Sequence, residues 1–435
     1  MNCLKSHGMI RRTSVVTRSS LGSHVMVHSS NTVVVGMGSV GMDFLASVAS
    51  FPRPDDKMRT EDLEMQGGGN CGNALTATAR LGSHLRPRVV SKIGCDSAGD
   101  AIIAEFDKDG VNTEYLIRSG KSPFTYIIVD RETHTRTCIH TPGEVLAPEE
   151  MTPGMVDDIL RDASIVYFDG RLAEAAVILA KEARERGIPV LVEAERLRPG
   201  LDVLLEQADC VITSAHFPHQ WTGKENVSDA MVEILGSLPH ASWISTTLGS
   251  RGALLLEKTE NAGEPGVSCD VDELFARAGE EAPENLPYVV LSDTGVRISA
   301  RPYAVSEPFR VVKCGDTDAQ SERLRQEAAD KAALMNADAG SGSSYTSHSG
   351  SSRYSGGDYV MTAIQAANIP QHCIVDTTGA GDAFIGSMLF SIASGIPPVH
   401  GAVLGCLVAA VKCTQLGARP GLPYIQDIHN MYRVK

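Results

Sequence analysis

No run of about 18 uninterrupted apolar residues occurs in this 435-residue chain, so a membrane-spanning helix is not expected. An excess of positive charge is also missing. Lys and Arg number 39 against 53 Asp and Glu, a net charge of −14. A general nucleic-acid binder needs a basic face, so that class is set aside. The ten cysteines form no C-x-x-C. Thiols scattered through a chain this long read as buried and reduced, not as a disulfide frame or a zinc site. There is no G-x-x-x-x-G-K-[ST], which removes the P-loop enzymes, and the protein-kinase catalytic set is absent too. What is present is a 43% share of hydrophobic residues. That supports a sizeable core and either one large α/β domain or two to three ordinary ones.

Acids are missing at the start as well, the first carboxylate being Asp43. Residues 1–31 carry Lys5, Arg11, Arg12 and Arg18 among many Ser and Thr, without the apolar centre of a secretory signal. This is the composition of an organelle transit peptide, plastid ahead of mitochondrion. The alternative is an untargeted N-terminus on a cytoplasmic protein.

From Thr32 the pattern becomes α/β. Residues 33–35 read as a buried strand, 70–81 as a small-residue helix, 89–93 as a strand and 97–109 as a helix stopped by Gly110. Residues 125–129 and 137–139 read as strands of a second, smaller sheet. Strand and helix patterns then alternate at 165–168, 172–186, 189–193, 209–213 and 243–247. Such alternation predicts a doubly wound parallel sheet with helices on both faces. Residues 380–394 and 399–413 read as two closing helices. Between them and the alternating region, 257–370 is expected to be an acidic, partly disordered insertion. It has a polar helix at 318–336 and a Ser/Gly tract at 340–357 that cannot bury enough apolar surface to repay ordering.

The strongest chemical signal is Asp376-Thr377-Thr378-Gly379-Ala380-Gly381-Asp382-Ala383-Phe384, read as an apolar strand end at 373–375 turning into a helix. Glycines at such a turn expose backbone amides, and unpaired amides at a helix start bind anions. The amides of Gly379, Ala380 and Gly381 are therefore candidates to stabilise a transferring phosphoryl group. Asp382, one residue on, is the candidate to take the proton of an attacking hydroxyl.

This string resembles the C-terminal signature of the PfkB, or ribokinase-like, family of sugar and nucleoside kinases. Gly68-Gly69-Asn70-Cys71-Gly72-Asn73 is similar to the family's N-terminal signature, and Thr247-Leu248-Gly249-Ser250-Arg251-Gly252 to its nucleotide loop. The sequences Val192-Glu193-Ala194-Glu195 and Lys412-Cys413, with Gly417, resemble the ketohexokinase-like branch. The resemblance implies a kinase domain over 32–256 and 371–435 with a small β-sheet lid from about 52–66 and 112–140. It implies ATP and Mg²⁺ as cofactors and a ketohexose such as fructose as acceptor, with ribose or a nucleoside next. A catalytically inactive binding or regulatory relative is the alternative of a different class. Asp43, Gly69, Asn70, Asn73 and Asp55 would bind the sugar. Thr247, Gly249, Gly252, Thr378, Cys413 and Gly417 would line the ATP site. The family's N-x-x-E is replaced by Ser214-Ala215-His216-Phe217, leaving Glu193 and Glu195 as candidates for a metal role. Asp376 with Thr378 is the candidate site for a monovalent cation such as K⁺. Open lid edges would let a second copy pair into a homodimer.

Two motifs compete. Gly36-Met37-Gly38-Ser39-Val40-Gly41 is a literal G-x-G-x-x-G, with Asp62 beyond it, but a dinucleotide site needs a helix next and then a second buried strand. Pro52, Pro54 and a charged stretch interrupt. His216 and His219 form an H-x-x-H broken by Pro218 and lacking further ligands, which reads as surface or packing histidines.

Overall fold

The computed structural model describes residues 32–60, 62–133, 135–259, 271–272, 275, 288–292, 295–299, 309–311 and 358–428. The transit-peptide reading of 1–31, the polar helix of 318–336 and the Ser/Gly tract of 340–357 lie outside them. In chain order the first elements are β1 (Thr32–Met37), β2 (Gly41–Val48), β3 (Asp62–Gly68), α1 (Asn70–Leu81), β4 (Leu85–Ile93), α2 (Ser97–Asp109), β5 (Asn112–Arg118), β6 (Phe124–Asp130) and β7 (Thr135–Thr141). The middle of the chain forms α3 (Pro153–Leu160), β8 (Ala163–Phe168), α4 (Ala173–Glu185), β9 (Val190–Ala194), α5 (Leu201–Leu205), β10 (Cys210–Thr213), α6 (Phe217–Thr222), α7 (Val227–Ser237), β11 (Trp243–Thr247) and β12 (Gly252–Thr259). After these come β13 (Tyr288–Ser292), β14 (Gly295–Ser299), β15 (Phe309–Val311), β16 (Asp358–Gln365), α8 (Ala380–Ala393), α9 (Pro398–Lys412) and α10 (Ile425–Ile428).

Ten strands make one sheet in the order β15-β16-β12-β11-β10-β9-β8-β1-β4-β5. The seven from β11 to β5 run parallel, and β12, β16 and β15 add an antiparallel edge. Alternate residues of a strand face opposite sides, so the valine-rich strands feed two cores. Val34, Ile165 and Leu191 pack with α1, α2, α8 and α9. Val35, Val166 and Val192 pack with α3, α4, α5 and α7 on the other face. This is the doubly wound arrangement expected from the alternating pattern. The stop expected for α2 is present: Gly110 takes φ 75°, a left-handed cap that glycine adopts without strain. Both ends of the range read as an insertion enter the main sheet, because β12 pairs with β16 from Gly252↔Gln365 to Thr259↔Asp358.

The second sheet has the order β3-β2-β6-β7. Its membership corrects the expected lid boundaries. Strand β5 pairs with β4 in the main sheet, residues 52–60 contain no strand, and β2 belongs to the lid. The dinucleotide reading fails at the same place: β1 passes directly into β2 with no helix between. Register sorts the lid's two faces. Gln66, Asp43, Thr125 and His140 form one cross-strand row, while Met65, Phe44, Tyr126 and Ile139 form the row on the opposite face.

Helices α1 and α8 cross closely. A Cβ built on Gly386 would lie 2.5 Å from the Ala74 carbonyl oxygen and 2.5 Å from the Ala77 methyl, and Thr78 Oγ1 donates to the Gly386 carbonyl at 3.1 Å. This crossing lies one turn beyond Asn73 on α1 and one turn beyond Asp382 on α8.

Candidate active site

The working groups gather at the carboxyl ends of the parallel strands, where open α/β sheets place ligands. Gly379 caps α8 with φ 76°, and Ala380 and Gly381 open the helix, in the first turn where amides lack a partner within the helix; the Ala380 amide instead donates to the Thr377 carbonyl at 3.2 Å. Residues 373–375 are not a strand. A 3₁₀ turn (Gln371–Cys373) precedes Ile374 and Val375, which are exposed. The amides of Val375 and Asp376 both donate to the Cys413 carbonyl, at 2.8 and 3.2 Å, which ties the turn to the end of α9 instead of to a sheet neighbour.

Asp382 is only 8% exposed, and burial pushes its carboxyl up to about 7. Its Oδ2 accepts from Asn73 Nδ2 at 2.8 Å. Behind it stands Glu193, raised to about 8 by burial and by the facing Asp382. Tyr167 Oη donates to Glu193 Oε2 at 2.7 Å and Asn70 Nδ2 to Oε1 at 3.2 Å. Two buried carboxyls that face each other disfavour being ionised together, so the pair retains a proton more readily than free carboxyls do. The pair is therefore suited to have Asp382 accept a proton.

Asn70 opens α1 behind Gly69, whose φ is 89° and whose added Cβ would strike the Ser39 carbonyl at 2.4 Å. Asn70 Oδ1 accepts from Arg171 Nη2 at 3.2 Å, and Arg171 also reaches Glu195 at 3.0 Å. From the lid, Asp43 is held 7% exposed and raised to about 6 by burial, beside the Thr125 hydroxyl. The structure thus brings Asp43, Gly69, Asn70, Asn73 and Asp382 around one cleft. It does not bring Asp55, which sits in an exposed turn at φ 68°.

Asp376 organises the glycine turn. Its Oδ1 accepts from the Thr378 amide at 2.9 Å and hydroxyl at 2.7 Å, and its Oδ2 from the Gly417 amide at 2.8 Å. Gly417 is required there: φ is 84°, and a Cβ would lie 1.7 Å from Gln66 Nε2. Cys413 is buried beside this knot. Arg136 of the lid donates to Thr377 Oγ1 at 2.8 Å and so latches the lid to the turn. Further along the sheet edge, Thr247 ends β11, and Gly249 (φ 59°) and Gly252 (φ 110°) bracket a tight turn; Thr247 Oγ1 donates to the Thr213 carbonyl at 3.3 Å.

These groups offer little to the expected metals. Among the described residues no three His, Cys, Asp or Glu are placed to hold an ion. Glu195 is engaged by Arg171, Arg196 and Arg198, which leaves it poorly suited to a cation. Mg²⁺ commonly binds through substrate phosphates, waters and one or two carboxylates, and Glu193 does not fit that part, because its two oxygens already accept from Tyr167 and Asn70. A monovalent cation at Asp376 does not fit. Both carboxylate oxygens are bonded, and the main-chain carbonyl accepts the fully buried Lys412 ammonium at 2.7 Å. Ser214, at the N-x-x-E position, donates to the Glu195 carbonyl at 2.6 Å, and His219 Nδ1 meets the Lys224 carbonyl at 2.8 Å, a local contact rather than a metal site.

Sequence reasoning missed Asp169, Arg171, Arg136 and Arg419. Asp169 Oδ2 accepts both the Ser39 amide and hydroxyl at 2.6 Å, fixing the loop that precedes the lid. Arg419 is 3% exposed and donates from Nε to Asn73 Oδ1 at 3.0 Å and from Nη2 to the Gly68 carbonyl at 3.2 Å. Its signal was an arginine inside Gly417-Ala418-Arg419-Pro420-Gly421, a stretch with no other charge.

Known proteins align with this architecture. Among curated proteins, a ribokinase from Haemophilus influenzae is 23% identical over 233 residues, covering 51% of this chain and 74% of its own length. A mouse ketohexokinase is 24% identical over 191 residues, covering 42% and 63%. Among solved structures, an Arabidopsis thaliana ribokinase complexed with ribose and ATP superposes with a TM-score of 0.59 at 16% identity, over 93% of this chain and 99% of that one. A Thermotoga maritima ribokinase gives 0.59 at 17%, over 92% and 98%. A family model described as pfkB family carbohydrate kinase matches residues 31–271 and 350–425, well over half of the chain. A ribokinase-like fold, a glycine turn feeding a buried aspartate and this match agree: the chain belongs to the pfkB family of carbohydrate kinases.

Proposed function

We propose that this ATP-dependent carbohydrate kinase phosphorylates a primary hydroxyl of a monosaccharide, a ketohexose such as fructose before ribose or a nucleoside. One observation carries the chemistry: a buried carboxylate, Asp382, stands in the first turn of a helix that opens at a left-handed glycine, where main-chain amides and the helix dipole favour an anion. Asp382 takes the hydroxyl proton as the oxygen attacks the γ-phosphorus in line. The amides of Gly379 and Gly381, joined by that of Ala380 when it leaves the Thr377 carbonyl, hold the charge on the transferring group. Mg²⁺, carried with the nucleotide, supplies further charge neutralisation. Asp43 and Asn70 orient sugar hydroxyls, since carboxylate and carboxamide together accept and donate. Asn73 is buried and bonded to Asp382 and Arg419, so its part is to orient Asp382, whereas the partly exposed Asn70 keeps an amide N–H and an oxygen lone pair beyond its bonds to Glu193 and Arg171. Thr247, Gly249, Gly252, Cys413 and Gly417 line the nucleotide side. The latch from Arg136 keeps the lid down and water out. The ketose preference rests on the Val192–Glu195 and Lys412–Cys413 motifs and on the ketohexokinase among the relatives.

The test is ATP consumption by purified protein with fructose, ribose, other monosaccharides and nucleosides. The expected result is the highest kcat/KM with fructose. Turnover of ribose or a nucleoside without fructose would reassign the acceptor. No turnover with any of them would return the chain to a binding role.

The second copy expected at the lid is proposed for its outer face. Leu63, Met65, Tyr126 and Ile139 are each at least half exposed there, an apolar row that water disfavours. Sedimentation should show a dimer at micromolar concentration that Tyr126→Glu dissociates. A monomer in the unsubstituted protein removes the proposal.

A further inference from the structure

Arg419 touches neither the glycine turn nor the cleft side of Asp382, yet it is almost fully buried and binds three different elements. Its Nε donates to Asn73 Oδ1, its Nη2 to the Gly68 carbonyl, and its Nη1 pairs with Glu105 at 3.3 Å. Its guanidinium lies 4.6 Å from the centroid of the Phe106 ring. A guanidinium only donates, so whichever end of an amide it meets must be the oxygen. The Asn73 oxygen therefore faces Arg419, and the Asn73 NH₂ is turned toward Asp382 Oδ2. Without that constraint the amide is free to reverse and present its oxygen to the carboxylate.

We infer that Arg419 is a positioning residue: through the fixed amide of Asn73 it holds Asp382 ionised and in one orientation, ready to receive a proton. The inference rests on the reading of Asp382 as base. A donor to the charged form favours that form, so removing it raises the carboxyl further. Other titratable groups also face Asp382. They are Cys71 from α1, Tyr167, Asp169 and Arg171 from β8 and its end, Glu193 and Glu195 from β9 and its end, and Lys412 from α9. None of them is changed in the test. Arg419 itself is offset by Glu105, Asp43 and Asp109, with Arg80 opposing.

The experiment follows the Asp382 carboxyl directly and needs no known sugar. Full-length protein labelled with [4-¹³C]aspartate is titrated by NMR, and the resonance absent from Asp382→Asn identifies the group. Arg419→Met and Asn73→Leu should each raise its midpoint by about one pH unit. The double variant should rise no further than either alone, because both break one chain. Arg419→Lys, which keeps the charge, should recover part of the shift. An unchanged midpoint in Arg419→Met overturns the relay. So does a double variant whose shift is the sum of the two, since that is plain charge removal. If Arg419→Met does not fold, Arg419→Gln carries the same comparison. The turnover of Asp382→Asn reads the base assignment separately, so the relay can fail while the base stands, and the reverse.

Discussion

Asp382→Asn should lower kcat by about 10²–10⁴-fold, the range a positioned acid–base group contributes. The change keeps the shape of the side chain and its bond partner Asn73, while removing the one atom set that can take a proton. Stability should not fall with activity. A carboxyl raised to about 7 is a group whose ionised form the fold disfavours. Its contribution to stability is fully present below the unfolded value and is lost as pH rises through about 7. The asparagine variant escapes that loss, so at pH 8 it should melt no lower than the unsubstituted protein, as is common where activity needs a strained group. The same value predicts the rate profile of the unsubstituted enzyme. Asp382 accepts a proton only when ionised, so kcat/KM should fall about tenfold per unit as pH drops below 7. Undiminished turnover by Asp382→Asn, with the melt unchanged, would remove this residue as the base.

Gly379→Ala should lower both stability and kcat. The residue holds φ 76°, and the left-handed region costs a residue with a Cβ about 1–2 kcal/mol. The new carbon would also lie 2.8 Å from the Ala418 methyl and 3.0 Å from its Cα, a wall that cannot swing aside. Relief requires the turn to rotate, and rotation re-aims the amides meant for the transferring phosphoryl group. Loss of one such donor costs about 10²–10³ in rate. Gly381→Ala separates strain from substitution as such, because its Cβ would meet no heavy atom within 4 Å and its φ is ordinary. Gly381→Ala should therefore melt like the unsubstituted protein, whereas Gly379→Ala should both melt lower and lose kcat. Equal kinetics for Gly379→Ala and the unsubstituted protein would show that the turn's geometry does not govern the rate.

Much of this architecture could be read from local pattern. Helix α2 was bounded by Gly110, and α1 by the glycines before Asn70 and the break after Leu81, because caps and periodicity are local properties. The nine residues around Asp382 carry their chemistry in one turn, which is why they were legible. Strand β2 was not. Its residues follow a glycine string that fits a strand-to-helix turn as readily as a strand-to-strand one, and only pairing with β3 and β6 decides. Residues 373–375 look like a strand end by composition, but two amides there bond to α9, a partner about forty residues away. Arg171, Arg136 and Arg419 were illegible for the same reason. Each acts on a residue more than 20 positions distant, and a solvated arginine looks identical in a sequence. Asp55 erred in the other direction: the family resemblance implied a sugar contact, and a proline-flanked turn carries it to the surface.

The absent side chain at residue 386 meters the distance between the two groups that matter most. Asn73 and Asp382 stand 2.8 Å apart because their helices touch, backbone to backbone, a single turn further on. One methyl there would act as a wedge, prising the amide from the carboxylate without approaching sugar or nucleotide. A position with nothing in it thus tunes the reaction from behind, and a substitution far from the cleft can pass for a catalytic one.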